Sequence, residues 1–360
     1  MAEAADPVVI VSAVRSPLGR FMGELSPLPA HKLGSHVIGA ALERAKLAPE
    51  KVDEVFMGCV LPAGQGQAPA RQAARAAGLP DATGATTVNK VCGSGMKATM
   101  LAHDIIRAGS AKIVVSGGME SMSNAPYLLA KARGGYRAGH DRIIDHMMMD
   151  GLEDAYETGR SMGDFGEATA EAYQFTRKDQ DAFAMETLNR ARKAVEGGAF
   201  KAEIAPITLS EKAGPRIVAN DEHPLKVDPA KIPGLKPAFR ANGTITPAAS
   251  SANADGAAAL VLTSARSPIA AACRLWLRSG ATPPIAKSRN GSPRPRSRRS
   301  ASCSTRSAGA PTTSTCSRST KPSPWWRWRR SAISAFPARS STSTAARARS
   351  AIPSAPPAHG

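Results

Sequence analysis

No aspartate or glutamate follows Asp255. All 29 acidic residues lie at or before that position, whereas 18 of the 47 lysines and arginines fall in residues 266–360. The formal charge of +18 therefore belongs wholly to the tail, and residues 1–265, with 29 basic side chains against 29 acidic ones, are formally neutral. That balance excludes a basic electrostatic footprint for nucleic acid over the body of the chain. There is also no apolar run long enough to cross a bilayer. The opening MAEAADPVVIV has neither the charged start nor the apolar stretch of a signal peptide. The five cysteines (Cys59, Cys92, Cys273, Cys303 and Cys316) form no CxxC pair and no paired spacing. A reducing, cytoplasmic setting is the default for such a set.

What is present alternates in the α/β manner over residues 1–118. Short apolar runs at 8–13, 55–60, 85–88 and 113–116 read as strands. Helical periodicity covers 31–47, 67–77 and 96–108. Residues 124–249 change character, with Pro, Gly, Met and aromatics and one helical stretch at 178–196; they read as a substrate-binding insertion or as a small second domain. Residues 257–263 (AAALVLT) return as a buried strand. The division expected is thus 1–123 for the first part of the core, 124–249 for the loop domain, 250–265 for the return strand, and 266–360 for an aberrant basic tail. The tail, rich in Ser, Arg, Pro and Ala without a sustained period, predicts disorder, because it cannot bury enough apolar surface to offset ordering entropy.

Residues 89–97, Asn-Lys-Val-Cys-Gly-Ser-Gly-Met-Lys, carry the chemistry. They set Cys92 on a glycine-rich turn between a strand and a helix, where N–H groups at the positive end of the helix favour a thiolate. Gly93 and Gly95 are expected to let the backbone turn and let a substrate approach. On spacing alone, a buried small hydrophobe is the ordinary fate of a free cysteine. Cys59, within a strand, reads as core. Gly93-Ser94-Gly95 also fits G-x-G-x-x-A, with Glu120 about twenty residues on, as in a dinucleotide site. The basic tail with Trp325, Trp326 and Trp328 offers a third class, nucleic-acid binding. His103, His140, His146 and His223 have no metal-ligand spacing, and residues 147–149, three methionines, read as packing.

Four ordered motifs over residues 7–264 resemble the thiolase family: Ser12-Ala13-Val14-Arg15-Ser16-Pro17-Leu18-Gly19-Arg20-Phe21, the Cys92 turn, Gly-Gly-Met-Glu-Ser-Met-Ser at 117–123, and the serine-containing stretch 246–256. Residues 145–181, including Met162-Gly163 and Thr169-Ala170-Glu171, are similar to its loop domain. The resemblance implies the layered αβαβα thiolase fold, homodimers or homotetramers, and acyl transfer between coenzyme A thioesters with no separate cofactor. It makes Cys92 the acylated nucleophile, with its own N–H as oxyanion donor. It lays Ser251 along the pantetheine of coenzyme A and Met162 near the acyl pocket. Where many members carry an arginine beside the nucleotide, this chain has Leu225 with Lys226 next to it.

The family's second half is not recognisable. Its base cysteine in Cys-x-Gly, its histidine in Gly-His-Pro and its Asn-Glu-Ala-Phe loop do not occur, and His359 stands in Ala-His-Gly. Back-translation of residues 341–360 with G/C-rich codons, regrouped two bases on, reads Asn-Val-His-Gly-Gly-Ala-Cys-Ala-Leu-Gly-His-Pro-Ile-Gly-Ala-Ser-Gly-Ala. The same shift turns residues 319–329 into Asn-Glu-Ala-Phe-Ala-Val-Val-Ala-Met-Ala, with the single Trp codon largely fixing the second valine. Two family motifs in family order point to a change of reading frame near residue 265. On that reading the tail's arginines come from G/C-rich codons rather than from a nucleic-acid surface.

Overall fold

The computed structural model describes residues 6–272 except 213, together with the backbone of residues 277 and 278. The expectations that fall on the tail beyond them, its disorder, its tryptophans, His359, Cys273, Cys303 and Cys316, lie outside the described residues.

The first stretch runs β1 (Val8–Arg15), β2 (Gly19–Arg20), α1 (Ala30–Arg44), β3 (Glu54–Gly58), α2 (Pro69–Ala76), β4 (Gly84–Val88), α3 (Ser94–Arg107) and β5 (Ile113–Ser121). The middle stretch adds β6 (Tyr127–Leu128), β7 (Ile144–Asp145), a π-helical turn (Met147–Leu152), α4 (Met162–Ala172), α5 (Arg177–Glu196), β8 (Ile207–Glu211), β9 (Gly214–Val218) and α6 (Glu222–Lys226). The chain then returns as β10 (Ala254–Ser264), α7 (Pro268–Ala272) and β11 (Leu277–Arg278).

One sheet orders its strands β11-β1-β10-β5-β3-β4, with β2 also on β10. β3 is parallel to both β4 and β5, while β10 is antiparallel to β1 and β5. Alternation along the strands distributes the core to two faces. Val9, Val11, Val55, Met57 and Val115 face α1 and α2, while Val8, Phe56, Val114 and Leu262 face α3. α1 buries Leu33, Val37, Ile38, Ala41 and Leu42, a stripe at helical spacing. α3 buries Ala98, Ala102 and Ile106 on the opposite side. The described residues thus build three layers, helix–sheet–helix, and none of their helices is long and apolar enough to cross a membrane.

Two expectations need correction. The strand from Ile113 does not stop at Ser116 but runs to Ser121, because β10 pairs with it through Asp255↔Ser121. Gly117 permits this: a Cβ there would lie 1.9 Å from the Ala258 carbonyl oxygen. The middle stretch also holds more regular structure than one helix. α4 opens with a capping box between Ser161 and Asp164, and the β8–β9 hairpin contributes Ile207, Leu209 and Val218 to the α1 side of the main core. Arg15 ties this stretch to β1. Its guanidinium donates to both oxygens of Asp221 (2.7 and 2.9 Å) and to Glu203 (2.6 Å), and lies over the Phe200 ring.

Candidate active site

Three parallel strands, β3, β4 and β5, end at the same edge of the sheet, and the residues that follow them meet there. After β4, residues 89–93 form the turn into α3. Cys92 is exposed on that turn, one residue before Gly93, the N-cap of α3. The sharp conformation falls on neither glycine, contrary to expectation. Gly93 has φ −91°, while Val91 has φ +48°, a left-handed conformation that is an outlier for a β-branched residue. Short-range hydrogen bonds hold it. Asn89 Oδ1 accepts from the Val91 N–H (2.9 Å); Ser94 Oγ accepts from the Lys90 N–H (2.9 Å) and donates to the Val91 carbonyl (2.5 Å).

Glycine matters where segments cross beneath the turn. A Cβ on Gly58 would stand 2.5 Å from the Gly95 nitrogen and from the Ser94 carbonyl carbon, and one on Gly118 would stand 3.4 Å from the Gly95 Cα. The ends of β3 and β5 therefore pack main chain against main chain on the first turn of α3.

A buried polar cluster lies behind the turn. Cys59, 1% exposed, has its thiol pushed up to about 12 by burial and by the nearby charge of Glu120. Its S–H donates to Glu120 Oε1 at 3.6 Å, so the expected core role is joined by a polar one. Glu120 accepts from the N–H groups of Val60 (2.8 Å) and Leu61 (3.1 Å). Burial holds its carboxyl above the ordinary range, with those two donors opposing. His146 is 4% exposed. Its Nε2 accepts from the Ala63 N–H at 3.4 Å, which leaves Nδ1 to donate to Asp150 at 2.5 Å. Glu120, which the dinucleotide alternative set about twenty residues past its glycines, and His146, which lacks metal-ligand spacing, both belong to this cluster. Apart from Asp150, four residues from His146, their partners lie 59 to 83 residues away in sequence, so spacing gave no signal. The dinucleotide reading gains no support: β4 is an edge strand, and β10 and β1 run antiparallel to their neighbours.

The other predicted site residues stand apart by element. Met162 opens α4, Lys226 closes α6 and Ser251 precedes β10, all three exposed. Among the described residues no hydrogen bond or ion pair joins any of them to Cys92. A cavity of about 470 Å³ beside the end of α4, lined by Glu167, Gln174, Arg240 and Thr244 among others, includes none of the predicted residues. No His, Cys, Asp or Glu group among the described residues is arranged to hold a metal ion. Of the three methionines 147–149, Met147 is buried and Met149 is exposed, so only part of that run packs.

An exposed cysteine turn at the end of a parallel strand in such a mixed sheet, followed by a long insertion and an antiparallel return strand, defines a mixed α/β scaffold. The profile of the thiolase N-terminal domain matches residues 8–266, and the chain belongs to the thiolase family. It is 51% identical over 260 residues to acetyl-CoA acetyltransferase 2 of Arabidopsis thaliana, a match covering 71% of this chain and 64% of that protein. It is 49% identical to the acetyl-CoA acetyltransferase of Schizosaccharomyces pombe, covering 72% and 66%. Its fold is similar to acetyl-CoA acetyltransferase from Syntrophomonas wolfei (TM-score 0.72, 36% identity, 76% of this chain and 68% of that one). It is equally close to a thiolase from Ascaris suum solved with coenzyme A (TM-score 0.70, 38% identity, 75% and 69%). The chain spans just under two thirds of the length of the two sequence relatives.

Proposed function

We propose that this chain carries the acylation half of an acetyl-CoA acetyltransferase. In this reading the Cys92 thiolate attacks the carbonyl carbon of an acyl-CoA thioester. A new carbon–sulfur bond forms to Cys92, the bond to the coenzyme A sulfur breaks, and coenzyme A leaves as a thiolate that takes up a proton. The acyl-enzyme then meets either the carbanion of a second acetyl-CoA, giving acetoacetyl-CoA, or coenzyme A in the reverse direction. The observation that carries this reading is the exposed Cys92 on a turn whose left-handed residue is Val91. The place of Cys92 one residue before the N-cap of α3 supports an oxyanion role for its N–H, and the coenzyme A complex of the Ascaris suum thiolase supports the substrate class. Ser251, Met162 and Lys226 are proposed as substrate contacts, and a homo-oligomer as the working form.

The second step needs a base for the Cα proton, and the family's histidine would assist the first by activating Cys92. With no Cys-x-Gly or Gly-His-Pro in the sequence, the expectation is acylation without appreciable condensation. The chain is incubated with acetyl-CoA and its peptides are weighed. An acetyl group on the Cys92 peptide, missing in Cys92→Ser, together with protection of Cys92 from iodoacetamide, is the result expected. Absence of both would overturn the acylation reading, and soluble protein of this sequence that condenses acetyl-CoA would overturn the expectation of a stalled second step.

A further inference from the structure

We propose that Glu120 is a positioning residue for the Cys92 nucleophile, acting across the sheet through Val60 and Asn89; the proposal rests on the acyl-transfer reading of Cys92. The path is continuous. Glu120 stands near the end of β5 and accepts the Val60 N–H at 2.8 Å. The Val60 carbonyl accepts from Asn89 Nδ2 at 3.4 Å. Asn89 Oδ1 in turn accepts the Val91 N–H at 2.9 Å, the bond that keeps Val91 left-handed and Cys92 presented. A second tie runs beside it, from the Cys59 N–H to the Val88 carbonyl at 3.0 Å.

The carboxylate has little else to do. Among the described residues no lysine or arginine pairs with it; its hydrogen-bond partners are two main-chain N–H groups and the Cys59 thiol, all from residues 59–61. A half-buried carboxylate held against three consecutive residues of one loop fixes that loop's height over the sheet. From the far end the same loop is held by His146, whose Nε2 accepts the Ala63 N–H and whose ring is oriented by Asp150. Gln65 closes it internally, donating to the Leu61 carbonyl at 2.8 Å. The loop is therefore clamped at both ends, and its one side-chain tie to the nucleophile turn is Asn89. An outlying backbone conformation persists only where its surroundings over-determine it, and this clamp supplies that for Val91.

The test compares Glu120→Gln, Asn89→Ala and the double variant in the full chain. The rate of Cys92 alkylation by iodoacetamide is read peptide by peptide, with added glutathione as the reference thiol. Each single change is expected to slow Cys92 by about tenfold, Glu120→Gln by removing the charge that holds the Val60 N–H and Asn89→Ala by removing the acceptor of the Val91 N–H. The double variant should be no slower than either single one, because both act on one path. A residue that only stabilises the fold lowers the melting temperature and leaves this non-additivity absent. An unchanged or faster rate in either single variant, or effects that multiply in the double, overturns the proposal. Asn89 is exposed, so Asn89→Ala decides the matter alone should Glu120→Gln not fold. Failure of acetyl-CoA to protect Cys92 in the unaltered chain would instead count against acyl transfer and leave the positioning result standing.

Discussion

At Val91 a β-branched side chain sits at φ +48°, where its Cβ crowds the following carbonyl oxygen. Such a residue costs on the order of 1–3 kcal/mol. Val91 is half exposed, so little burial is lost when it is replaced. Val91→Gly is expected to raise stability by about 1 kcal/mol after the entropy of a glycine is subtracted, as a shift in denaturant midpoint; a loss would show that the conformation carries no strain. Glu120 gives a pH signature. Its folded carboxyl lies above the ordinary 4.5, so between the two values the folded chain holds a proton that the unfolded chain has released. Stability then falls as pH rises through that window and returns on acidification. Stability curves against pH should show this segment in the parent and lose it in Glu120→Gln. A difference curve of the opposite sign would contradict the assignment.

Among the elements, the ends of β3 and β5 meet the first turn of α3 at glycine, Gly58 and Gly118 lying against Gly95. Gly58→Ala would drive a Cβ into the main chain of Ser94 and Gly95. The start of α3 must then move, at about 2 kcal/mol, and Cys92 alkylation should slow with it; normal reactivity with lowered stability would uncouple the two. The elements themselves were largely legible. Periodicity marked α1 through Leu33, Val37 and Ala41, and β-branched runs marked β1 and β5, since burial of one face leaves its pattern in the residues. The Cys92 turn was legible because a thiol between a strand and a helix with flanking glycines is a local arrangement. The length of β5 was not, because Gly117 and Gly118 look like a terminus until β10 supplies the partner. Nor was the left-handed residue, since Gly93 and Gly95 are the natural candidates and Val91 is chosen only by the hydrogen bonds of Asn89 and Ser94. The Glu120 cluster stayed hidden because its partners come from separate loops.

For the molecule as a whole, Arg15 is the tie between β1 and the middle stretch. Its side chain is 19% exposed and that of Asp221 10%. Arg15→Ala leaves Asp221 short of its cation and is expected to cost about 2–3 kcal/mol. Limited proteolysis should then cut within residues 197–226, which the parent resists; an unchanged digestion pattern would mean that the β8–β9 packing suffices. The sequence beyond residue 265 bears on the same scale. Sequencing the DNA across codons 255–280 is expected to show a shift of frame relative to a full thiolase, and one uninterrupted frame confirmed in both DNA and protein would refute it. Restoring the frame should give back the Gly-His-Pro and Asn-Glu-Ala-Phe motifs and, with them, condensation.

The place of β1 in the sheet has a consequence for synthesis. β1 is made first, yet its partner β10 lies far along the chain; the Ser16–Ala257 hydrogen bond spans 241 positions. A ribosome adding ~5–20 residues per second takes on the order of ten to fifty seconds to deliver that partner. Throughout that interval Val8, Val9 and Val11 stand without a neighbouring strand, while the parallel pair β3–β4 and its helices can already assemble. Chaperone capture of nascent chains should therefore concentrate on the first strand and fade as β10 clears the exit tunnel.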